Sequence, residues 1–386
     1  MLPSNWQRVR LGDIGITISG LAGKTKQDFI NGNAKYITFL NVLNNVIIDT
    51  SILENVKIYP NEKQNSFKKY DLFFNTSSET PKEVGMCAVL LDDIDQVFLN
   101  SFCFGFRIFD KAVDSLFLSY LINSEIGRKA FENLAQGSTR YNLSKSGFNN
   151  ICLILPPLNE QIAIANILSD VDHYLCSLDA LILKKESVKK ALSFELLSQR
   201  KRLKGFNQAW QRVRLGDILS YEQPTKYLVA TTQYLQKGFT PILTAGKTFI
   251  LGYTNDKHGI YTNIPVIIFD DFTTDSKMVN FPFKVKSSAI KILSLRDNNQ
   301  ADLKYIYEKL TLLKHQVTDH KRYWIDEFSN FEILLPPLDE QIAIANILSA
   351  LDSEIISLKN KKRQFENIKK ALNHDLMSAK IRVLKQ

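Results

Sequence analysis

Two stretches of this chain carry apolar residues at helical spacing over an unusual length. In the first, Leu168, Val171, Leu175, Leu178 and Ile182 recur at alternating intervals of three and four. In the second, Leu348, Leu351, Ile355 and Leu358 do the same, and Phe365, Ile368 and Leu372 continue the stripe. Alternating three-four spacing gathers apolar side chains into one seam, the pattern of a coiled coil. Pro156-Pro157 and Pro336-Pro337 stand just before these stretches. A proline disfavours helix at its predecessor, so each helix is predicted to begin after its pair. No proline follows within either stretch, which allows about 40 residues, or about 60 Å at 1.5 Å per residue. Core helices of a bundle would carry the same stripe; the length and the matched pair favour two helices packed on each other.

Outside these stretches the pattern changes. Short runs rich in β-branched and aromatic residues, at 35–40, 71–74, 102–109 and 265–269, predict strands. Residues 116–132 and 303–313 have helical spacing. The segments before the two long helices each read as an α/β globule.

The chain repeats itself. Residues 6–14, from Trp6 to Ile14, recur letter for letter as residues 210–218, an offset of 204. Residues 155–169 recur as 335–349 with one change, Asn159 to Asp339, at an offset of 180. Lys189-Lys190-Ala191-Leu192 returns as Lys369-Lys370-Ala371-Leu372 at that same offset. Between these blocks, 15–150 and 219–330 show little identity. A frame has been duplicated around two unlike inserts, and internal duplication is the strongest organising signal in the chain.

Charge adds a partner class. The net charge is +9 and the pI about 9.1. Residues 184–204 contribute +6 and 359–385 contribute +7, so the remainder is acidic by −4. A basic balance concentrated in this way suits a polyanion, or merely solvated helix ends. Cys87, Cys103, Cys152 and Cys176 have no paired spacing and read as reduced, buried thiols of a cytoplasmic protein. The N-terminal residues lack the pattern of a secretion signal. No apolar run approaches the roughly 20 residues that cross a bilayer, so no membrane partner is expected.

Candidate chemistry does not assemble. Gly23-Lys24-Thr25 and Gly246-Lys247-Thr248 resemble the end of a phosphate loop. The glycine needed five positions earlier is replaced by Ile18 and Pro241, so both read as turns. His173, His258, His315, His320 and His374 form no metal-ligand spacing. There is no glycine-rich nucleotide loop, and Leu155-Pro-Pro-Leu158 lacks the amide and aromatic of an adenine methyltransferase tetrapeptide. No serine elbow appears. Neither a catalytic residue nor a cofactor or metal site is expected on this chain. A coiled-coil scaffold would leave two divergent globules within an invariant frame unexplained.

The whole chain resembles the specificity subunits of type I restriction-modification systems. The resemblance rests on the Leu-Pro-Pro-Leu-x-Glu-Gln blocks at 155–161 and 335–341, the Trp-x-x-Val-x-Leu-Gly-Asp openings at 6–13 and 210–217, and Gly137-Ser-Thr-Arg140. It implies an α+β fold with two α/β target-recognition domains, joined by two long antiparallel coiled-coil helices as a pseudo-two-fold internal repeat. The implied division is 1–155 for the first recognition domain, 156–204 for the first helix, 205–335 for the second domain and 336–386 for the second helix. Each domain would read one half of a split, asymmetric site on double-stranded DNA. The helices would fix the gap and dock two methyltransferase subunits, with restriction subunits as further partners. S-adenosylmethionine, ATP and magnesium are expected on those partners and not here. A modification-only methyltransferase or a Type II-like bipartite system would use the same frame. The second insert also resembles a recurrent recognition-domain subtype through residues 221–227, 244–253 and 269–274. Gly137-Ser-Thr-Arg-Tyr-Asn142 of the first insert faces Asp319-His-Lys-Arg-Tyr-Trp324 of the second, so the two half-sites should differ.

Reading bases in the major groove takes hydrogen-bonding side chains presented on loops. The first insert offers Lys24 and Thr25, then Asn75, Thr76 and Ser77, then Ser138, Thr139, Arg140 and Tyr141. The second offers Thr244 and Lys247, Thr273 and Thr274, and His320, Lys321, Arg322, Tyr323 and Trp324. Arg140 and Arg322 could grip guanine or a phosphate. Tyr141, Tyr323 and Trp324 could stack on DNA or fill a core, and Asn75 to Ser77 could be a solvated turn. Glu160-Gln161 and Glu340-Gln341 read as first-turn residues complementing the helix dipole. The basic runs 200–204 and 361–363 could face the DNA spacer or be solvated helix ends.

Overall fold

In a computed structural model of the chain, the residues described are 3–132, 134, 137, 140–230, 233–246, 248–313 and 322–383. They form two compact units, Met1–Asp179 with Asn360–Gln386, and Ala180–Lys359. The expected boundaries gave each helix its own segment. The units instead divide each helix, keeping half of it with each globule.

The first unit is built on a four-stranded antiparallel sheet in the order Gly15–Ser19, Cys103–Ile108, Leu72–Asn75, Cys87–Val89. Its strand Leu72–Asn75 is buried throughout. Successive side chains of a strand point to opposite faces, and this strand supplies two cores. Phe74 joins Phe104, Phe106, Phe131 and Phe148 on one face, where the Phe148 ring meets Phe74 edge-on at 4.8 Å. Phe73 joins Ile37, Phe67, Val97 and Leu99 on the other. A smaller sheet pairs Ala34–Ile37 with Glu54–Val56 and Val97–Leu99. The strand expected over 35–40 stops at Ile37, because the Thr38 hydroxyl accepts the Asn41 N–H and caps a helix, Phe39–Asn44. The helix expected over 116–132 is two, Ser115–Asn123 and Glu125–Glu132. Between them the Ser124 hydroxyl donates to the Leu121 carbonyl and accepts from the Gly127 N–H.

The second unit repeats this topology with a different sequence. Its main sheet runs Leu219–Glu222, Ile290–Leu295, Val266–Asp270, Ser276–Val279, and its smaller sheet Ile250–Thr254, Thr240–Leu243, Lys284–Val285. Ile267 and Phe269 enter one core and Val266 and Ile268 the other. The helix predicted over 303–313 is Leu303–Leu312.

The repeated blocks close each globule. Gln7–Arg10 pairs antiparallel with Cys152–Leu155, and Gln211–Arg214 with Glu332–Leu335, in the same register. Immediately beyond, Leu158–Leu197 and Leu338–Met377 form helices of 40 residues each. Within the first unit, Asp172 meets Lys369 at 2.5 Å and Asp179 meets Lys362 at 2.7 Å. Partners that fall as their mates rise mark antiparallel helices, and Tyr174 packs on Phe365 at 4.6 Å. In the second unit Glu186 meets Lys359 at 2.6 Å and Lys189 meets Asp352 at 2.5 Å, antiparallel in the same way, and Lys185 reaches Glu354 at 2.5 Å. Leu168, Leu178, Ile182, Leu348 and Ile355 of the stripe are buried. Ile368 departs from it at 51% exposed, and the neighbouring Lys369 makes the seam contact. Leu338–Met377 also holds an 18-residue window with mean hydropathy 1.3, enough by length and composition alone for a bilayer span; Asp352 and Glu354 lie on the same helix, paired with Lys189 and Lys185 of Leu158–Leu197.

The Glu-Gln pairs are more than first-turn caps. Glu160, Gln161, Glu340 and Gln341 are all buried. Gln341 Oε1 accepts the Asp302 N–H at 3.0 Å, and its amide donates to the Gln300 and Pro336 carbonyls. Gln161 does the same for Asp114, Ala112 and Pro156. Glu340 takes a bidentate grip from Arg202 and a bond from Trp210 Nε1, and Glu160 takes the grip from Arg382. The repeated Pro-Pro block is therefore a latch that ties the start of each helix to its globule. Arg202 and Arg382, within the basic regions, are held in these pairs. Gln341→Ala strands the buried Pro336 carbonyl and the partly buried Asp302 N–H and Gln300 carbonyl, and an orphaned buried group costs about 1–3 kcal/mol. The expected loss is about 3 kcal/mol, or about 6–12 °C in the midpoint of a unit this size. Calorimetry of the variant checks this; a shift under about 2 °C would show the latch to be dispensable.

Lys309 gives the second unit a pH signature. Its ammonium donates to the Leu197 carbonyl at 2.5 Å, and burial pulls its pKa down to about 8. The unfolded lysine titrates near 10.4, so between about pH 8 and 10 the unfolded chain holds more protons. Stability of this unit should rise with pH across that window. Burial raises the Tyr305 hydroxyl, whose ionisation in the unfolded chain opposes the gain above about pH 10. Lys309→Met should flatten the rise, as read from denaturation midpoints at about pH 8 and 9.5; an equal rise in the variant would contradict the assignment.

Candidate nucleic-acid interface

In the first unit the candidate loops gather at the end of Leu72–Asn75. Asn75 is fully buried, donating its amide to the Ser77 and Glu83 carbonyls and accepting the Met86 N–H at 2.7 Å. The Thr76 N–H and hydroxyl both bond the Phe102 carbonyl, and the Thr76 carbonyl accepts the Leu143 N–H at 2.8 Å. Tyr141–Asn142 pairs as a strand with Ser77–Ser78. Gly137 sits at φ +139, where any Cβ would strike the Arg140 carbonyl oxygen. The Arg140 side chain is left exposed, its guanidinium 5.6 Å from the centre of the Phe102 ring, itself 53% exposed. A guanidinium on an exposed aromatic beside a threonine presents donors and an apolar face together, the combination that suits a base edge or a phosphate.

In the second unit the corresponding point is the end of Val266–Asp270. Asp270 Oδ2 accepts the Gly246 N–H at 2.8 Å and the Thr273 hydroxyl at 2.7 Å, while Oδ1 accepts the Phe272 N–H. Gly246 sits at φ +91, a left-handed conformation that favours glycine. Asp271 Oδ1 accepts the Trp324 N–H at 3.0 Å, and Oδ2 pairs with Lys291 at 2.7 Å, both side chains buried. The side chains of Thr273, Phe272 and Arg322 are exposed, with Thr244 and Thr274 half-buried beside them.

Several expected reading residues belong instead to the frame. Asn75 is buried because its amide serves the loop's own backbone, and Ser77 is buried in the strand that pairs with Tyr141–Asn142. Tyr323 and Trp324 are 0% and 1% exposed, with Trp324 packed on Phe269 at 5.4 Å; they are core residues and do not stack on DNA. Lys24 is spent on Glu62 at 2.5 Å and on the Lys57 carbonyl, with its side chain 5% exposed. Thr25 caps the short helix Lys26–Phe29 through Asp28. Ser138, Thr139, Lys247, His320 and Lys321 lie outside the described residues. Arg140, Tyr141, Thr76, Thr244, Thr273, Thr274 and Arg322 remain as surface candidates. Phe102 and Phe272 join them; Phe102 opens a strand-like run, 102–109, whose pattern gave no signal of exposure. Among the described residues no group of three or more His, Cys, Asp or Glu side chains is placed to hold a metal.

The model of the type I restriction modification DNA specificity domain matches residues 3–185 and 207–367, once for each unlike insert with its frame. The chain belongs to that family. It is 45% identical over 180 residues to the EcoR124I/EcoR124II specificity subunit of Escherichia coli, an alignment covering 43% of this chain and 44% of that subunit. It is 26% identical to the putative type I restriction enzyme MjaX specificity subunit of Methanocaldococcus jannaschii, across 99% of this chain and 95% of that one. The crystal structure of a type I S subunit from M. genitalium has the same fold, with a TM-score of 0.65 at 18% identity over 97% of both chains. Specificity subunits are the DNA-recognising, non-catalytic members of type I systems.

Proposed function

We propose that the two units of this specificity subunit read the two halves of one asymmetric, bipartite DNA site, and that the chain directs adenine-methyltransferase subunits, and restriction subunits where present, to that site. The carrying observation is one strand topology built twice, with the exposed Arg140 and Phe102 at the end of Leu72–Asn75 in one unit and the exposed Phe272, Thr273 and Arg322 at the end of Val266–Asp270 in the other. A shared scaffold with unlike presented residues recognises two unlike sequences. S-adenosylmethionine, ATP and magnesium belong on the partners in this reading. The test is methyl transfer from labelled S-adenosylmethionine to DNA by the methyltransferase subunits with and without this chain. Site-specific label should require both; label transferred by the isolated chain would overturn the proposal.

A further inference from the structure

We infer that Asn75 and Asp270 are the positioning residues for DNA specificity, each fixing the reading loops of its own unit without touching DNA; this rests on the bipartite reading above. Both stand at the last position of the buried strand at the heart of their sheets, Leu72–Asn75 and Val266–Asp270. Both are buried polar side chains, Asn75 at 0% and Asp270 at 6% exposed. Each spends its side chain on loop backbone or hydroxyl groups. A single side chain bonded to separate loop segments fixes their spacing, and reading a base edge requires donors held in place.

The two hubs use opposite chemistry. Asn75 is mainly a donor, holding the Ser77 and Glu83 carbonyls while its oxygen takes the Met86 N–H. Asp270 only accepts, and it joins two segments far apart in sequence, through Gly246 on one and Phe272 and Thr273 on the other. The next residue completes each hub. The Thr76 carbonyl holds the Leu143 N–H, just past Arg140 and Tyr141. Asp271 holds the Trp324 N–H, just past Arg322. A bond from the hub thus holds the segment beside the exposed arginine of each unit.

Asp270→Asn separates positioning from folding. The amide can keep the local turn to Phe272, but it turns an N–H₂ toward the Gly246 N–H and releases that loop. In the complex with methyltransferase subunits, discrimination between the cognate second half-site and singly substituted ones should fall about tenfold. First-half discrimination, affinity for unrelated DNA and the melting midpoint should stay within twofold or a few degrees. Amide exchange at Gly246 should accelerate while that of Ile267 and Phe269 does not. Asn75→Asp sets a buried carboxylate against the Ser77 and Glu83 carbonyls, so its loss of discrimination should be confined to the first half-site but should come with a lower melting midpoint. A folded Asp270→Asn complex with full second-half discrimination, or with equal losses in both halves, overturns the inference. Should Asp270→Asn fail to fold, Thr273→Val removes one of the same bonds from the exposed side. Discrimination lost in Thr273→Val and kept in Thr273→Ser, with faster Gly246 exchange only in the former, supports the hub; retention in both overturns it. A wild-type complex that discriminates at neither half would sink the bipartite reading itself, whereas a discriminating wild type with an indifferent Asp270→Asn sinks the hub alone.

Discussion

Exchanging residues 15–150 for the corresponding segment of another specificity subunit should rewrite one half of the recognised site and leave the other untouched. On DNA carrying the original first half-site, the chimaera should fall toward its non-specific affinity, a loss of at least about 10³-fold. The physical ground is that the frame lies outside the exchanged segment. Gln7–Arg10 and Cys152–Leu155 close the first unit by backbone pairing that any insert tolerates. The second unit keeps its own closing pair and its own latch at Gln341. The donor must still fill the site that Leu11, Ile14, Ile151 and Leu153 share with Leu118 and Phe148. Gly12 sets a second condition, since a Cβ there would meet the Asn149 carbonyl oxygen at 3.0 Å. Mapping methylated adenines in DNA modified by the chimaeric complex reads the outcome. Altered bases in both halves would mean that the inserts do not act as separate readers.

Arg140→Ala and Arg322→Ala should each damage recognition in one half-site only. A bidentate guanidinium contact to guanine is worth about 1–3 kcal/mol of discrimination, or about 5- to 150-fold at one base pair. Both side chains are exposed, so truncation leaves no buried hole and the fold should hold. Arg140 is already oriented by the Phe102 ring, and Phe102→Ala should therefore reproduce part of its loss. Binding to single-base variants of each half-site separates the roles. A loss confined to one base pair assigns a base contact. A uniform loss across sequences, with the salt slope reduced by about one, assigns a phosphate contact instead.

The long helices were legible because a seam must repeat its apolar residues, and the paired prolines mark where it begins. The duplicated topology was legible through the repeated blocks, although the inserts share few letters. Side-chain burial was not. Asn75, Ser77 and Lys24 look like surface residues by type, yet Ser77 is buried and the other two are consumed by partners within the same unit. Tyr323 and Trp324 face inward because the helix Tyr323–Asp326 turns them there, and no local spacing in four residues announces that. Glu340 reads as a helix-dipole residue because of its position, while its half-buried partner Arg202 lies 138 residues away in sequence. Long-range partners of this kind leave no mark on the sequence around either residue.

The central claim is that one chain reads two unlike half-sites at a fixed distance. Single-molecule mapping of methyladenine, on genomic DNA modified by this chain with its methyltransferase subunits, tests it most directly. One motif with two different halves separated by a constant unread gap, methylated on both strands, is expected. A palindromic motif, a continuous one, or methylation without any motif would contradict it.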